Sequence, residues 1–256
     1  MSILEATILG IVQGLTEFLP VSSSGHLVLV HSFFGFIEQG IFFDICLHVG
    51  TLVAVILYFG KDIIRLIRER NVLWLFCVII GTIPAVFAAL LFEDRISAFF
   101  VSPRKAAFML LVTGFVLFAA QLSLRKEPGA GRGPTLLKSF FVGVAQAFAL
   151  LPGISRSGMT ISAGLFGRMS AENAFRFSFL LSIPAILGAL LYKMLKADMG
   201  QIVANELGAY LAGIAAALVT GLLSLFLLWK VLRTRCLYVF GIYCLLLGIT
   251  GILFLK

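Results

Sequence analysis

Long uncharged runs of apolar residues are the feature that most restricts how this chain can fold. A helix that crosses a bilayer needs about 17–25 predominantly apolar residues. Four uncharged runs reach that length, at residues 72–92, 106–124, 207–229 and 236–255. Two more runs, 44–60 and 174–193, qualify if one polar residue or a frayed end is allowed. The sequence therefore predicts six membrane-spanning helices.

Charge is too scarce for a water-soluble protein. Only 12% of the residues are charged and 61% are hydrophobic, whereas soluble domains carry about 25% charged residues. The net charge of +8 would also suit a nucleic-acid binder, but basic residues in a membrane protein set its orientation and contact anionic lipid. We expect residues 1–256 to form a single all-α integral membrane domain that contacts membrane lipid and no nucleic acid.

Two other apolar regions are interrupted by polar residues and cannot be simple spans. Residues 6–37 contain Glu17, Pro20, a run of serines and His26, and residues 139–167 contain a Pro-Gly pair, serines and an arginine. Irregular backbone at membrane depth survives only where protein or a water-filled cavity covers it. Both regions are predicted to be re-entrant hairpins of two short helices.

The two interrupted regions are related by an internal repeat. A shift of 133 residues aligns 10–25 with 143–158, with five identities: Gly10 with Gly143, Gln13 with Gln146, Ser22 with Ser155, Ser24 with Ser157 and Gly25 with Gly158. The repeats are predicted to cover 1–124 and 137–256, joined by a short cytoplasmic linker at 125–136. Each repeat holds one hairpin and three spans. Because three is odd, the second repeat should be inverted, which points to a binding site between the halves.

The distribution of basic residues predicts the orientation. The segments on one side of this topology hold thirteen Lys and Arg, and those on the opposite side hold six. Basic loops are enriched in the cytoplasm. The N-terminus is therefore predicted outside, and we expect the site to open to the outer face.

The first interruption contains Gln13 and Glu17, which are four residues apart and share a helix face. The serines at 22–24 are good N-cap residues for the helix that follows. His26 lies just beyond them. A carboxylate, hydroxyls and an imidazole thus come together in a few residues, although each serine has an alternative reading as a simple cap and His26 as a satisfied interior histidine.

The second interruption reads Pro152-Gly-Ile-Ser-Arg-Ser-Gly-Met-Thr160. Ser155 and Ser157 precede a helix, and a helix N-terminus favours phosphate. Arg156 adds a planar donor fork that matches phosphate oxygens. In the repeat Arg156 stands opposite Ser23, and Glu17 opposite Leu150. Charges at membrane depth are costly and usually functional; the alternative is a structural ion pair between Glu17 and Arg156.

These two motifs resemble those of the undecaprenyl-diphosphate phosphatase family of the bacitracin-resistance type, and the resemblance runs through the whole chain. It implies a bacterial membrane enzyme that removes the terminal phosphate of undecaprenyl diphosphate, requires a divalent cation and confers bacitracin resistance. The positions that correspond to the functional residues of the family are Gln13, Glu17, Ser23, His26, Ser155, Arg156 and Thr160.

From the residues and the resemblance together we expect Glu17, Ser23, His26 and Arg156 to be catalytic. The predicted substrate-binding residues are Ser22, Ser155, Arg156, Ser157 and Thr160. Gln13 and Glu17 are predicted to hold Mg²⁺ or Ca²⁺ through oxygen. Ser23 is the preferred nucleophile, with Glu17 or His26 as base; His26 itself or a metal-activated water are the other candidates. A transporter or flippase for an anionic lipid or solute is the competing function, and the oligomeric state stays open.

Overall fold

The computed structural model describes residues 1–34, 41–125, 133–196 and 206–255. Within these ranges the chain forms twelve helices: α1 (Ile3–Phe18), α2 (Ser23–Phe34), α3 (Ile41–Tyr58), α4 (Gly60–Arg68), α5 (Val72–Leu91), α6 (Glu93–Phe100), α7 (Pro103–Arg125), α8 (Leu136–Phe148), α9 (Arg156–Phe166), α10 (Ala171–Lys196), α11 (Leu207–Arg233) and α12 (Tyr238–Phe254). Most of the predicted linker at 125–136 lies outside the described residues.

A helix occupies each of the six predicted spans. Four of them, α5, α7, α10 and α11, are long and apolar enough to cross a membrane by themselves. α3 meets the same criteria together with α4, from which it is separated by a bend of 60°. α12 is apolar and 17 residues long. The chain is thus an all-helical, multi-pass integral membrane protein.

The two interrupted regions are broken helices, as the sequence predicts. The first hairpin consists of α1 and α2, which have 16 and 12 residues. The second hairpin consists of α8 and α9, which have 13 and 11. At 1.5 Å per residue these helices are about 16–24 Å long, which is shorter than the bilayer core of about 30 Å. None of them can span alone.

The first helix of each hairpin packs against a span from the other half of the chain. α1 lies along α11, and α8 lies along α5. Both crossings need glycine: a Cβ on Gly10 would lie 2.4 Å from the Gly213 carbonyl oxygen, and one on Gly143 would lie 2.3 Å from that of Gly81. Small residues let membrane helices approach this closely. The hairpins therefore sit between the halves, although the inverted relation of the repeats stays a prediction.

α3 and α10 pack against each other in opposite directions. Lys193 Nζ lies 3.8 Å from Asp44 Oδ2 near the start of α3, and Arg176 Nε lies 3.6 Å from Asp62 Oδ1 on α4, which follows α3. An apolar cluster fills the interval: Ile45, Leu52, Ile186 and Leu190. Asp44 is thus one partner of an ion pair between the halves.

Candidate active site

The tips of the two hairpins are joined by reciprocal hydrogen bonds. The Ser22 hydroxyl accepts from the Gly153 amide at 3.1 Å and donates to the Ile154 carbonyl at 3.3 Å. From the other side, the Ser157 hydroxyl donates to the Leu19 carbonyl at 3.2 Å. Each tip thus uses a buried serine to satisfy backbone groups of the other tip.

The turn at Ser22 is unusual for a residue with a side chain. Its φ is +67°, in the left-handed region, and non-glycine residues there carry strain of about 1–3 kcal/mol. Gly153 on the facing tip has φ +93°, and a Cβ there would lie 2.1 Å from the Ala106 carbonyl oxygen. The hydrogen bonds between the tips hold the Ser22 backbone in place.

Glu17 stands at the centre of the site. Its Oε1 accepts from Arg156 Nη2 at 2.6 Å. Its Oε2 accepts from the Ser23 hydroxyl at 2.6 Å and from Gln13 Nε2 at 3.0 Å. The fold therefore unites four of the predicted residues. The Glu17 and Arg156 side chains are only 8% and 17% exposed, so their interaction is screened far less than a surface pair.

Arg156 is placed by the start of α9. Ser155 caps this helix by accepting from the Gly158 amide at 3.1 Å. Arg156 is the first residue of the helix, and its Nη1 also donates to the Ser182 carbonyl of α10 at 3.5 Å. The guanidinium and the positive end of the helix thus lie together, which is an arrangement suited to phosphate.

Thr160 contacts the backbone of Arg156 from one turn further along α9. Its hydroxyl donates to the Arg156 carbonyl at 2.8 Å and lies 2.5 Å from the Ser178 hydroxyl. The hydroxyls of Ser155 and Ser157 are 3.2 Å apart. Ser23 and Arg156 keep partial exposure, whereas the other predicted phosphate ligands are buried: Ser22, Ser155, Ser157 and Thr160. That these buried hydroxyls bind substrate stays a prediction.

His26 is oriented away from the Ser23–Glu17 pair. Its Nδ1 lies 2.8 Å from the Ser22 carbonyl oxygen and its Nε2 lies 2.7 Å from the Tyr243 hydroxyl. The Ser23 hydroxyl donates to Glu17 instead. Of the two bases that the sequence leaves open, the geometry favours Glu17. Tyr243 is a residue that sequence reasoning misses, because nothing in the local sequence of α12 connects it with the first hairpin.

A second histidine also belongs to the surroundings of the site. His48 on α3 is close enough to Glu17 to interact with it electrostatically. Its Nδ1 donates to the Asp44 carbonyl at 2.8 Å. The sequence indicates only that Asp44 and His48 share a helix face; the position of that face beside Glu17 depends on how α3 packs.

The oxygens near Glu17 suit a divalent cation. Gln13 Oε1 is buried and has no hydrogen-bond partner among the described residues, while the amide nitrogen of the same side chain bonds Glu17. Mg²⁺ commonly takes one or two protein oxygens together with substrate phosphates and water. The described part of the chain holds no group of three or more His, Cys, Asp or Glu side chains suited to a metal. Gln13 Oε1 is thus an oxygen free to bind a cation; that Gln13 and Glu17 hold one, with substrate and water as its other ligands, stays a prediction.

Comparison with known proteins identifies the family of the chain. The family model described as "Bacitracin resistance protein BacA" matches residues 6–250. The chain is 44% identical over 263 residues to an undecaprenyl-diphosphatase of Syntrophotalea carbinolica, with 97% of each chain covered. It is 40% identical over 272 residues to an undecaprenyl-diphosphatase of Methanobrevibacter smithii, with 97% of this chain and 96% of that protein covered. The chain therefore belongs to the bacitracin resistance protein BacA family.

Proposed function

We propose that the chain hydrolyses undecaprenyl diphosphate to undecaprenyl phosphate and inorganic phosphate. This reaction recycles the lipid carrier of peptidoglycan synthesis and confers resistance to bacitracin. One observation carries the proposal: the Ser23 hydroxyl donates to a buried carboxylate, Glu17, whose other oxygen is held by Arg156. Phosphoryl transfer needs a nucleophilic hydroxyl, a base and a positive group that binds phosphate, and here these are the Ser23 hydroxyl, the Glu17 carboxylate and the Arg156 guanidinium. The relatives named undecaprenyl-diphosphatase support the same activity.

The first step is attack by Ser23 Oγ on the terminal phosphorus of the diphosphate. The Ser23 proton passes to Glu17 Oε2, which already accepts it in a hydrogen bond. The bond between the terminal phosphorus and the bridging oxygen breaks, and the leaving undecaprenyl phosphate takes up the proton. Water then attacks the phosphoserine with Glu17 again as base, releasing inorganic phosphate and restoring the Ser23 hydroxyl.

Arg156 holds the phosphates during both steps. When the substrate binds, the guanidinium donates to phosphate oxygens instead of Glu17 Oε1. The carboxylate is then free to act as base. The α9 N-terminus, capped by Ser155, contributes its partial positive charge to the same oxygens. Donors fixed in advance where charge develops are a major source of rate acceleration.

A divalent cation, Mg²⁺ or Ca²⁺, would be held by Gln13 Oε1 and Glu17. When bound, it neutralises charge on the diphosphate and on the transferred phosphoryl group. The free, buried oxygen of Gln13 supports this assignment. Removal of divalent cations by a chelator should abolish phosphate release, and either Mg²⁺ or Ca²⁺ should restore it.

The protein lies in the bacterial cell membrane with its N-terminus outside and its site open to the outer face. The excess of basic residues in the opposite loops supports this orientation. The prenyl tail of the substrate stays in lipid while the diphosphate reaches the hairpin tips.

The test is phosphate release by the purified protein in detergent with a prenyl diphosphate and Mg²⁺. Wild-type protein should release phosphate. Glu17→Gln should lose about 10²–10⁴-fold in rate, as loss of a general base typically does. Leu150→Met is the matched control, because Leu150 occupies the corresponding place in the second repeat and this swap conserves volume. Folded wild-type protein that releases no phosphate but moves the lipid across vesicles would make the chain a transporter or flippase.

A further inference from the structure

The phenol of Tyr243 reaches the site from a helix that contributes nothing else to its chemistry. Tyr243 lies on α12, 217 residues from His26 in sequence, and its hydroxyl is 2.7 Å from His26 Nε2. The two rings are almost parallel, at 3°. The neighbouring Cys244 thiol donates to the Pro20 carbonyl at 3.6 Å. α12 thus supports the first hairpin at two consecutive residues.

The hydrogen bonds of His26 define which nitrogen carries its proton. A backbone carbonyl can only accept, so the nitrogen that bonds it must be the protonated one. Nδ1 is 2.8 Å from the Ser22 carbonyl oxygen. In the neutral imidazole Nε2 is then an acceptor, and the Tyr243 hydroxyl is the donor that it meets. Both ends of the ring are therefore committed to fixed partners.

The surroundings of Tyr243 strengthen this bond. His26 is 8% exposed, whereas Tyr243 is 44% exposed on the outer surface of a membrane helix. Because His26 is buried, water has little access to Nε2 and competes only weakly with the Tyr243 hydroxyl for it. The two bonds together fix the His26 ring at both nitrogens, with Nδ1–H on the Ser22 carbonyl and Nε2 on the Tyr243 hydroxyl.

We propose that Tyr243 is a positioning residue, which acts through His26 on the turn that carries the nucleophile. Tyr243 fixes the orientation of the His26 ring, and His26 Nδ1–H holds the carbonyl of Ser22, whose backbone is in the left-handed conformation. Ser23, the next residue, then presents its hydroxyl to Glu17 at 2.6 Å. The catalytic consequence rests on the proposed phosphatase function, whereas the tautomer does not.

The first experiment is ¹⁵N NMR of the histidine side chains in detergent. The chain has three histidines, and the spectrum of His26→Asn identifies the signals of His26. In wild-type protein we expect a proton on Nδ1 and none on Nε2. Tyr243→Phe removes the donor to Nε2 and should shift the Nε2 resonance of His26, with the proton still on Nδ1, while the signals of His48 stay unchanged. Tyr238→Phe, which changes another tyrosine of α12, should leave the His26 signals as in wild type.

The second experiment measures phosphate release by the same variants. Tyr243→Phe should lower kcat by about tenfold, the usual scale of one hydrogen bond, and leave KM within about twofold. Tyr238→Phe should match wild type. An Nε2–H tautomer in wild type, an unchanged Nε2 signal in Tyr243→Phe, or an unchanged kcat despite a shifted Nε2 signal would each overturn the proposal. Absence of turnover in wild type would instead refute the phosphatase function and leave the tautomer result standing.

Discussion

In the first hairpin the amide of Gln13 donates to Glu17, whereas the corresponding Gln146 of the second hairpin has no hydrogen-bond partner among the described residues. Both glutamines are buried. The difference lies one helical turn further on, where the first hairpin has Glu17 and the second has Leu150. The repeat has kept the amide in both places, but the acidic partner stands in only one of them. The charged residues of the site, Glu17 and Arg156, stand at positions where the two hairpins differ.

The supports of the two hairpins also differ. The first tip is held by α12 through Tyr243 and Cys244. The second tip is held by α7, where the Thr113 hydroxyl donates to the Gly153 carbonyl at 2.8 Å and accepts from the Ser155 amide at 3.1 Å. One tip is fixed through an imidazole and the other through a hydroxyl. The Glu17 carboxylate and the Arg156 guanidinium thus meet on two tips that are each anchored to a different helix.

Among the changes that test this comparison, replacement of Ser23 should lower turnover most. The second hairpin has Arg156 at the corresponding position and provides no substitute hydroxyl. Ser23→Ala should lower turnover by ~10³-fold or more, as loss of a nucleophile does. A phosphoryl group trapped by acid quench on the peptide that contains Ser23 should vanish in the variant. Ser24→Ala is the neighbouring control. If Ser23→Ala stays active while His26→Ala is inactive, the nucleophile is not Ser23.

Arg156→Ala removes the cation that the second hairpin contributes. We expect a loss of at least ~10²-fold in rate, which is typical for a preorganised donor. Stability should fall as well, because the buried Glu17 loses its ionic partner and such losses cost about 3–5 kcal/mol. Phosphate release and thermal unfolding in detergent measure the two effects. The exposed Arg65→Ala is the control, and a folded Arg156→Ala protein with near-normal turnover would contradict the site.

The two glutamines test the comparison directly. Gln13→Leu should slow phosphate release by about 10–100-fold, since a hydrogen bond to a charged group contributes about 1.5–3 kcal/mol. Gln146→Leu should leave the rate unchanged and the stability equal or higher, because it removes buried polar atoms that lack partners. Initial rates and melting temperatures of both variants, measured side by side, decide the matter. Equal losses of rate would mean that both hairpins take part in the chemistry.

Loss of the helix cap at Ser155 should have the smallest effect. Ser155→Ala removes the acceptor of the Gly158 amide and should lower the free energy of unfolding by about 1 kcal/mol. Ser155→Thr retains a capping hydroxyl and should recover most of that loss. Thermal unfolding of the two variants provides the measurement. A large fall in the rate of phosphate release, with only this small loss of stability, would indicate that Ser155 binds substrate directly.

Much of this architecture follows from the sequence alone. The six spans and the two broken helices are readable because hydropathy and helix-breaking residues are local properties, and α5 at Val72–Leu91 lies close to the predicted span at 72–92. The repeat also places the two interruptions opposite each other. Glu17 and Arg156 stand out because charge is costly at membrane depth.

Only the tertiary structure decided how these residues are used. The division of the Glu17 oxygens between Arg156 and Ser23, the positive φ of Ser22 and the bond of His26 to Tyr243 all depend on contacts between distant segments. Hydropathy decides which segments enter the membrane, but it contains no information on which helix faces meet there. Close packing between helices makes that choice, and here it brings the Ser23 hydroxyl to Glu17 and the Tyr243 hydroxyl to His26.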